Sequence, residues 1–261
     1  MTNNYNSPTE IANEFCTLGS NKAKTNNVKF IILAILGGIF IAFGGLLSVV
    51  VAGGMPSVAA ENPGLVKFMS GAVFPIGLIM VSLAGADLFT SDCAVMTMSC
   101  IGKNVNIKAL MKILILSYIF NFLGTQIVAY FMTAKVGLLS SEPWLSYIGK
   151  LANAKIHQDF WTVLIKGIGA NWMVCLGTWM GYSAKDVTGK SLGIWIPVML
   201  FVTLGYEHSI ANMFFVPAAI YSGIDISWHD FIIKNLVPAT IGNLIGGMVM
   251  VGCIYGYVYK K

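Results

Sequence analysis

The chain has 261 residues, 56% of them apolar and only 10% charged, against about 25% charged in soluble domains. A surface that poor in charge excludes an ordinary soluble fold. All sixteen basic residues are lysines, and the net charge of +5 bears on membrane topology rather than on nucleic acid.

Residues 1–28 are polar, with no apolar stretch following a charged start, so no cleavable leader is expected. They are read as a cytoplasmic N-terminal segment. Within it, residues 8–19 place Ile11, Phe15 and Leu18 at helical spacing; a short amphipathic helix and a disordered tail fit equally well. From residue 29 to 259 the pattern is that of an all-α membrane domain. Uncharged apolar runs cover 30–60, 68–86, 113–134, 167–184, 191–206 and 235–259, and roughly 20 such residues span a bilayer as helix. Between 191 and 224 the one formal charge is Glu207, so this stretch reads as one long crossing with a fault at its centre. Six transmembrane helices result, centred near residues 42, 82, 122, 174, 207 and 246, the second also faulted by Asp87 and Asp92.

An even number of crossings puts both termini on one side. Ten lysines (22, 24, 29, 103, 108, 112, 185, 190, 260 and 261) fall on that side and six (67, 135, 150, 155, 166 and 234) on the other. By the positive-inside rule both termini are cytoplasmic, in the cell (inner) membrane. The longest loop, about 136–166, is too short for a catalytic domain. The cysteines, at 16, 93, 100, 175 and 253, are scattered without a CxxC pair, so no metal, disulfide or cofactor is expected.

The halves echo each other. PIGLIMVSLAGAD (75–87) and PVMLFVTLGYE (197–207) each open on proline and close on an acid, Asp87 and Glu207. Asn121-x-x-Gly124 is matched by Asn243-x-x-Gly246. Three crossings per half insert the second half upside down. Inverted repeats with interrupted helices place a permeation path at mid-membrane, where irregular backbone must face protein or a water-filled cavity. Asp87, Thr90, Ser91 and Asp92 mark one interruption, and Glu207, His208, Ser209 and Asn212 the other.

The segments ADLFTSD (86–92), NWMVCLGTWM (171–180), GYEHSIANM (205–213) and IGNLIGG (241–247) resemble the formate/nitrite transporter family across essentially all six crossings. The resemblance implies an aquaporin-like fold of inverted three-helix repeats with broken second and fifth helices. It implies a homopentamer with one pore per subunit, passing small monovalent weak-acid anions: formate, nitrite or hydrosulfide, and lactate in some branches. Carried over residue by residue, it makes His208 the central histidine, Thr90 the loop threonine, and Asn171 and Asn212 the motif asparagines. Phe74, Leu78, Leu88 and Phe201 become the apolar constrictions, Lys155 the vestibule lysine, and Glu207 the acid beside the histidine. The stretch 221–231 is shorter here than in the best-known formate channels, which leaves nitrite and hydrosulfide open beside formate.

Burial favours a neutral imidazole and an arriving anion favours a protonated one, so His208 is suited to exchanging a proton with a weak acid. Glu207 and Asp87 are expected to hold the broken helices, either by accepting backbone N–H groups or as protonated acids. Asp92 is expected to cap the half-helix that follows it. Apolar rings at Phe74, Leu78, Leu88 and Phe201 would exclude hydrated ions. An aquaporin is the nearest rival architecture, but the one Asn-Pro, Asn62-Pro63, lies in a loop. A membrane enzyme built on Glu207-His208-Ser209 lacks any accompanying GxSxG or HExxH motif.

Overall fold

The computed structural model describes residues 4–260. In chain order the helices are α1 (Pro8–Lys24), α2 (Asn27–Gly53), α3 (Pro56–Glu61), α4 (Pro63–Val73), α5 (Ile76–Ala84), α6 (Phe89–Ile101), α7 (Ile107–Ile127), α8 (Trp144–Ile156), α9 (Phe160–Ser183), α10 (Val187–Thr203) and α11 (Ser209–Tyr221). A last crossing, Trp228–Tyr259, follows. Among the described residues, five stretches are long and apolar enough to cross a bilayer: Asn27–Gly53, Pro63–Ala84, Ile107–Ala134, Phe160–Ser183 and Trp228–Tyr259. The 27 residues of α2 rise about 40 Å at 1.5 Å each, more than a hydrocarbon core. The sixth passage is made by α10 and α11 end to end around a break, and α5 and α6 form the matching broken pair.

Glycine decides how the helices meet. α2 crosses α7 so closely that a Cβ on Gly38 would lie 2.1 Å from the Asn121 carbonyl oxygen, and one on Gly124 2.1 Å from that of Ile35. The second half repeats this: a Cβ on Gly242 would meet the Leu164 oxygen at 2.2 Å, and one on Gly246 the Ile168 oxygen at 2.2 Å. Small residues at such crossings let backbones touch where lipid offers no hydrophobic drive to association. Many large apolar side chains point outward, among them Ile32, Ile115, Ile119, Ile165, Ile196 and Val249. An apolar exterior is what a bilayer solvent requires.

α1 is a full helix. Its start is fixed by a capping box in which Ser7 and Glu10 satisfy each other's backbone N–H. Its apolar side buries Ile11, Phe15 and Cys16 against α6 and α9. Phe15 meets Trp179 and Tyr182 edge-on at 5.3 and 5.7 Å, and Ser99 Oγ donates to the Phe15 carbonyl at 2.9 Å. The face carrying α1 and the C-terminus is called the tail face below. On the far face the expected 136–166 loop contains α8, whose Ile148, Ala152 and Ile156 are buried. That segment is packed structure rather than solvated loop.

Candidate functional site

Two breaks face each other at the centre. Gly85 ends α5 at φ +80° and Gly205 follows α10 at φ +70°; only glycine takes that backbone without strain. Three non-helical residues then lead into α6 and α11, the last of each, Leu88 and His208, extended. The register aligns Asp87 with Glu207, Leu88 with His208, and Asp92 with Asn212.

Each break is held by one asparagine from the third crossing of its half. Asn121 accepts from the Phe89 N–H at 2.9 Å and donates to the Asp87 and Ala34 carbonyls at 2.9 and 2.6 Å. Asn243 accepts from the Ser209 N–H at 2.8 Å and donates to the Glu207 and Gly167 carbonyls at 2.9 and 2.8 Å. The carboxylates do not have the role expected of them. Glu207 and Asp87 turn their side chains to lysines instead of to the broken backbone. Nor is Asp92 a cap. Leu88 occupies that position of α6 without a side-chain bond, and Asp92 lies one turn in, fully buried. Both asparagines were visible only as an unexplained echo in the sequence.

His208 is the cap of α11. Its Nδ1 accepts from the Ala211 N–H at 3.0 Å, so in the neutral ring the proton sits on Nε2, which donates to Thr90 Oγ1 at 3.0 Å. The imidazole stacks on Phe201 at 5.8 Å and 20°. Phe74 stands edge-on to Phe201 at 6.0 Å. Around His208, the four residues Phe74, Leu78, Leu88 and Phe201 converge with Ile41, Val174 and Val198 on a pinch that admits no water-sized sphere. On its tail side Leu78 and Leu88 open into a cavity of about 250 Å³. On its far side Phe74, Phe201 and His208 open into one of about 110 Å³.

Lys155 and Asn212 line the far cavity. Lys155 is buried near the end of α8 rather than exposed at a mouth, and its Nζ donates to Glu207 Oε2 at 3.0 Å. Glu207 also accepts from Gln158 at 2.9 Å, Asn212 at 2.6 Å and Asn235 at 3.2 Å. Asn235 lies in a π-helical turn, Phe231–Leu236, of the last crossing, the kind of irregularity that places side chains at functional sites. The tail cavity has a corresponding lysine. Lys22, from α1, pairs with Asp87 and lies 3.0 Å from Asp92 Oδ1. Burial alone would lower the pKa of Lys22, but the Asp92 and Asp87 carboxylates outweigh it and hold the ammonium above its usual value. In the sequence Lys22 counted only toward topology. Asn171 does not line either cavity or the pinch; its Nδ2 donates to the Asn243 carbonyl at 2.6 Å, bracing the clamp from behind.

Inverted helical repeats, paired breaks and a closed apolar neck between two lysine-bearing cavities define a multi-pass membrane transporter of aquaporin-like fold. Residues 9–257 match the family described as "Formate/nitrite transporter", and the chain belongs to that family. It is 38% identical to a "Probable formate transporter" of Methanothermobacter thermautotrophicus, with the whole of both chains covered. It is 37% identical to "Formate channel BtFdhC" of Bacillus thuringiensis over 98% of this chain and 97% of that one. Among solved structures, an "FNT family ion channel" superposes with a TM-score of 0.88 at 26% identity, covering 96% of this chain and 99% of that one. A "Pentameric formate channel with formate bound" gives 0.77 at 32% identity, covering 90% and 98%.

Proposed function

We propose that this protein carries small monovalent weak-acid anions across the cell membrane, formate first, with nitrite and hydrosulfide of the same class. It works as a homopentamer with one path per subunit and both termini in the cytoplasm. The observation that carries the reading is the neck: an apolar pinch with no room for water, whose one polar lining group is the His208 imidazole, bonded in turn to Thr90. A hydrated ion loses its water there without replacement, whereas a neutral acid passes at far lower cost. Relatives named for formate support the choice of permeant.

In the far cavity Lys155 offers the anion a positive partner, balanced at rest by Glu207. At the neck His208 exchanges the proton. As the Ala211 cap bond opens, Nδ1 takes up a proton from solvent entering by the far cavity, which His208 lines, and Nε2 releases one to the anion. The neutral acid forms, and the ring returns neutral as its other tautomer. Phe74, Phe201, Leu78 and Leu88 then pass the acid and hold back the ion. Asn212 keeps Glu207 and Asn235 in place beside the path.

The test is reconstitution in liposomes, with fluxes of formate, nitrite, hydrosulfide, lactate and chloride, together with water permeability, compared at two pH values. Formate flux that rises on acidification, with chloride excluded, is expected. His208→Ala with the wild-type pH dependence intact would remove the proton step. Water flux without anion flux would overturn the reading altogether.

A further inference from the structure

Each cavity sets one lysine beside the acid of its break, and the two differ in the residue one turn further on. Lys155, Glu207 and Asn212 on the far side correspond to Lys22, Asp87 and Asp92 on the tail side. The far set is one ammonium and one carboxylate, with an amide in the third place. The tail set puts a second carboxylate there. Counted as ionised groups, the far cluster is neutral and the tail cluster carries one negative charge.

That extra charge sits on a side chain withdrawn from the protein surface. Asp92 is completely buried and lines the tail cavity with Asp87 and Lys22. Neither of its oxygens receives a directed hydrogen bond, although Oδ1 lies 3.0 Å from the Lys22 ammonium. Asn212, its counterpart, is instead a donor to Glu207 and Asn235. Among the described residues, the groups around Asp92 offer no second positive charge. α1 contributes Lys22, the break contributes Asp87, and α7 contributes the Ser117 hydroxyl. From α9 come Cys175 and Tyr182, and Cys93 is its neighbour on α6. Two carboxylates that share one ammonium repel each other, and a proton held between them relieves that repulsion.

We propose that Asp87, Asp92 and Lys22 form a proton-binding site on the tail side, in which the two carboxylates share one exchangeable proton, with no counterpart on the far side. With the proton bound the cluster is neutral, and Lys22 faces an anion arriving at Leu88 without an opposing net charge. With the proton lost the tail cavity repels that anion. The site makes entry from this face depend on pH on this face, and it stores a proton on the approach to His208.

Infrared difference spectroscopy of the purified protein in liposomes, recorded across a pH titration, reads the proton directly and independently of transport. The wild type should show the carbonyl stretch of a buried carboxylic acid. Asp92→Asn should lose it, because the remaining Asp87–Lys22 pair is neutral. Asp87→Glu and Asp92→Glu keep both acids and test the site where the amide variant fails to fold; at least one of them should shift the band. A wild type without the band, or a band unmoved in both glutamate variants, overturns the proposal. The consequence for anion entry rests on the transport reading above. In oriented liposomes, acidifying the tail side should speed formate entry more in the wild type than in Asp92→Asn, and equal acceleration in the two counts against the site. Absence of formate flux in the wild type would count against the transport reading and leave the infrared result standing.

Discussion

Replacing Asn243 with alanine removes a clamp that no neighbour can replace. The side chain is fully buried and makes three bonds at 2.8–2.9 Å: from the Ser209 N–H, to the Glu207 carbonyl and to the Gly167 carbonyl. Inter-helix bonds inside membranes contribute about 0.6 kcal/mol each on average, so the bonds alone account for roughly 2 kcal/mol. The larger effect is what stays behind. The Ser209 N–H at the head of α11 has no other partner in a dry site, and an orphaned buried group costs about 1–3 kcal/mol. The sum is about 3–5 kcal/mol, or on the order of 10 °C in the apparent midpoint for a chain of this size. Heating the detergent-solubilised protein and following its retention on size exclusion measures the shift. Asn243→Asp separates the contributions, since one carboxylate oxygen still accepts from Ser209 while the other faces two carbonyls that have lost their donor. It should be destabilised comparably to Asn243→Ala. The Asn121→Ala variant should reproduce the effect in the first half. An Asn243→Ala protein within a degree or two of wild type would show that the breaks are held by the helices around them and not by the asparagines.

Two further outcomes follow from the charge pairs and the helix start. Lys155→Met strands Glu207 without its ammonium in a buried site, a change worth about 3–5 kcal/mol, and the double variant Lys155→Met/Glu207→Gln should recover most of that loss in the same thermal assay; a double variant as unstable as the single one would assign the loss to packing. At the start of α1 the Ser7 backbone N–H and hydroxyl hold the Glu10 carboxyl below the usual carboxylate range. Its contribution is therefore complete above the ordinary glutamate value and is lost as pH falls through the lowered one. The protection of the Ser7 and Glu10 amides relative to an unstructured chain at the same pH should fall only in acid, and Glu10→Ala should lack that protection already at neutral pH.

Much of this architecture was legible in the residues because the bilayer imposes it. Six apolar runs have to become helices, since lipid satisfies no backbone group. An acid at matching places in the second and fifth runs, each behind a glycine, marks where helices break. Phe74, Leu78, Leu88, Phe201 and His208, each singled out in the sequence, line one pinch, and Thr90 bonds to His208 beside it. What the chain order could not express is which side chain answers which. Asn121 and Asn243 lie more than thirty residues from the breaks they hold, and their partners are backbone atoms, which leave no trace in residue identity. Lys22 belongs to a polar segment outside the membrane domain and enters the tail cavity only because α1 folds back across α6 and α9. Asp92 resembled a helix cap because aspartate near a helix start usually is one; the cap position fell four residues earlier, at Leu88, and left Asp92 to face Lys22. Sequence by itself determined the solvent, the number of crossings and the places where they break, because those depend on local polarity. Tertiary structure alone decided the pairing of charges inside, because electrostatic partners are chosen by distance through space and not along the chain.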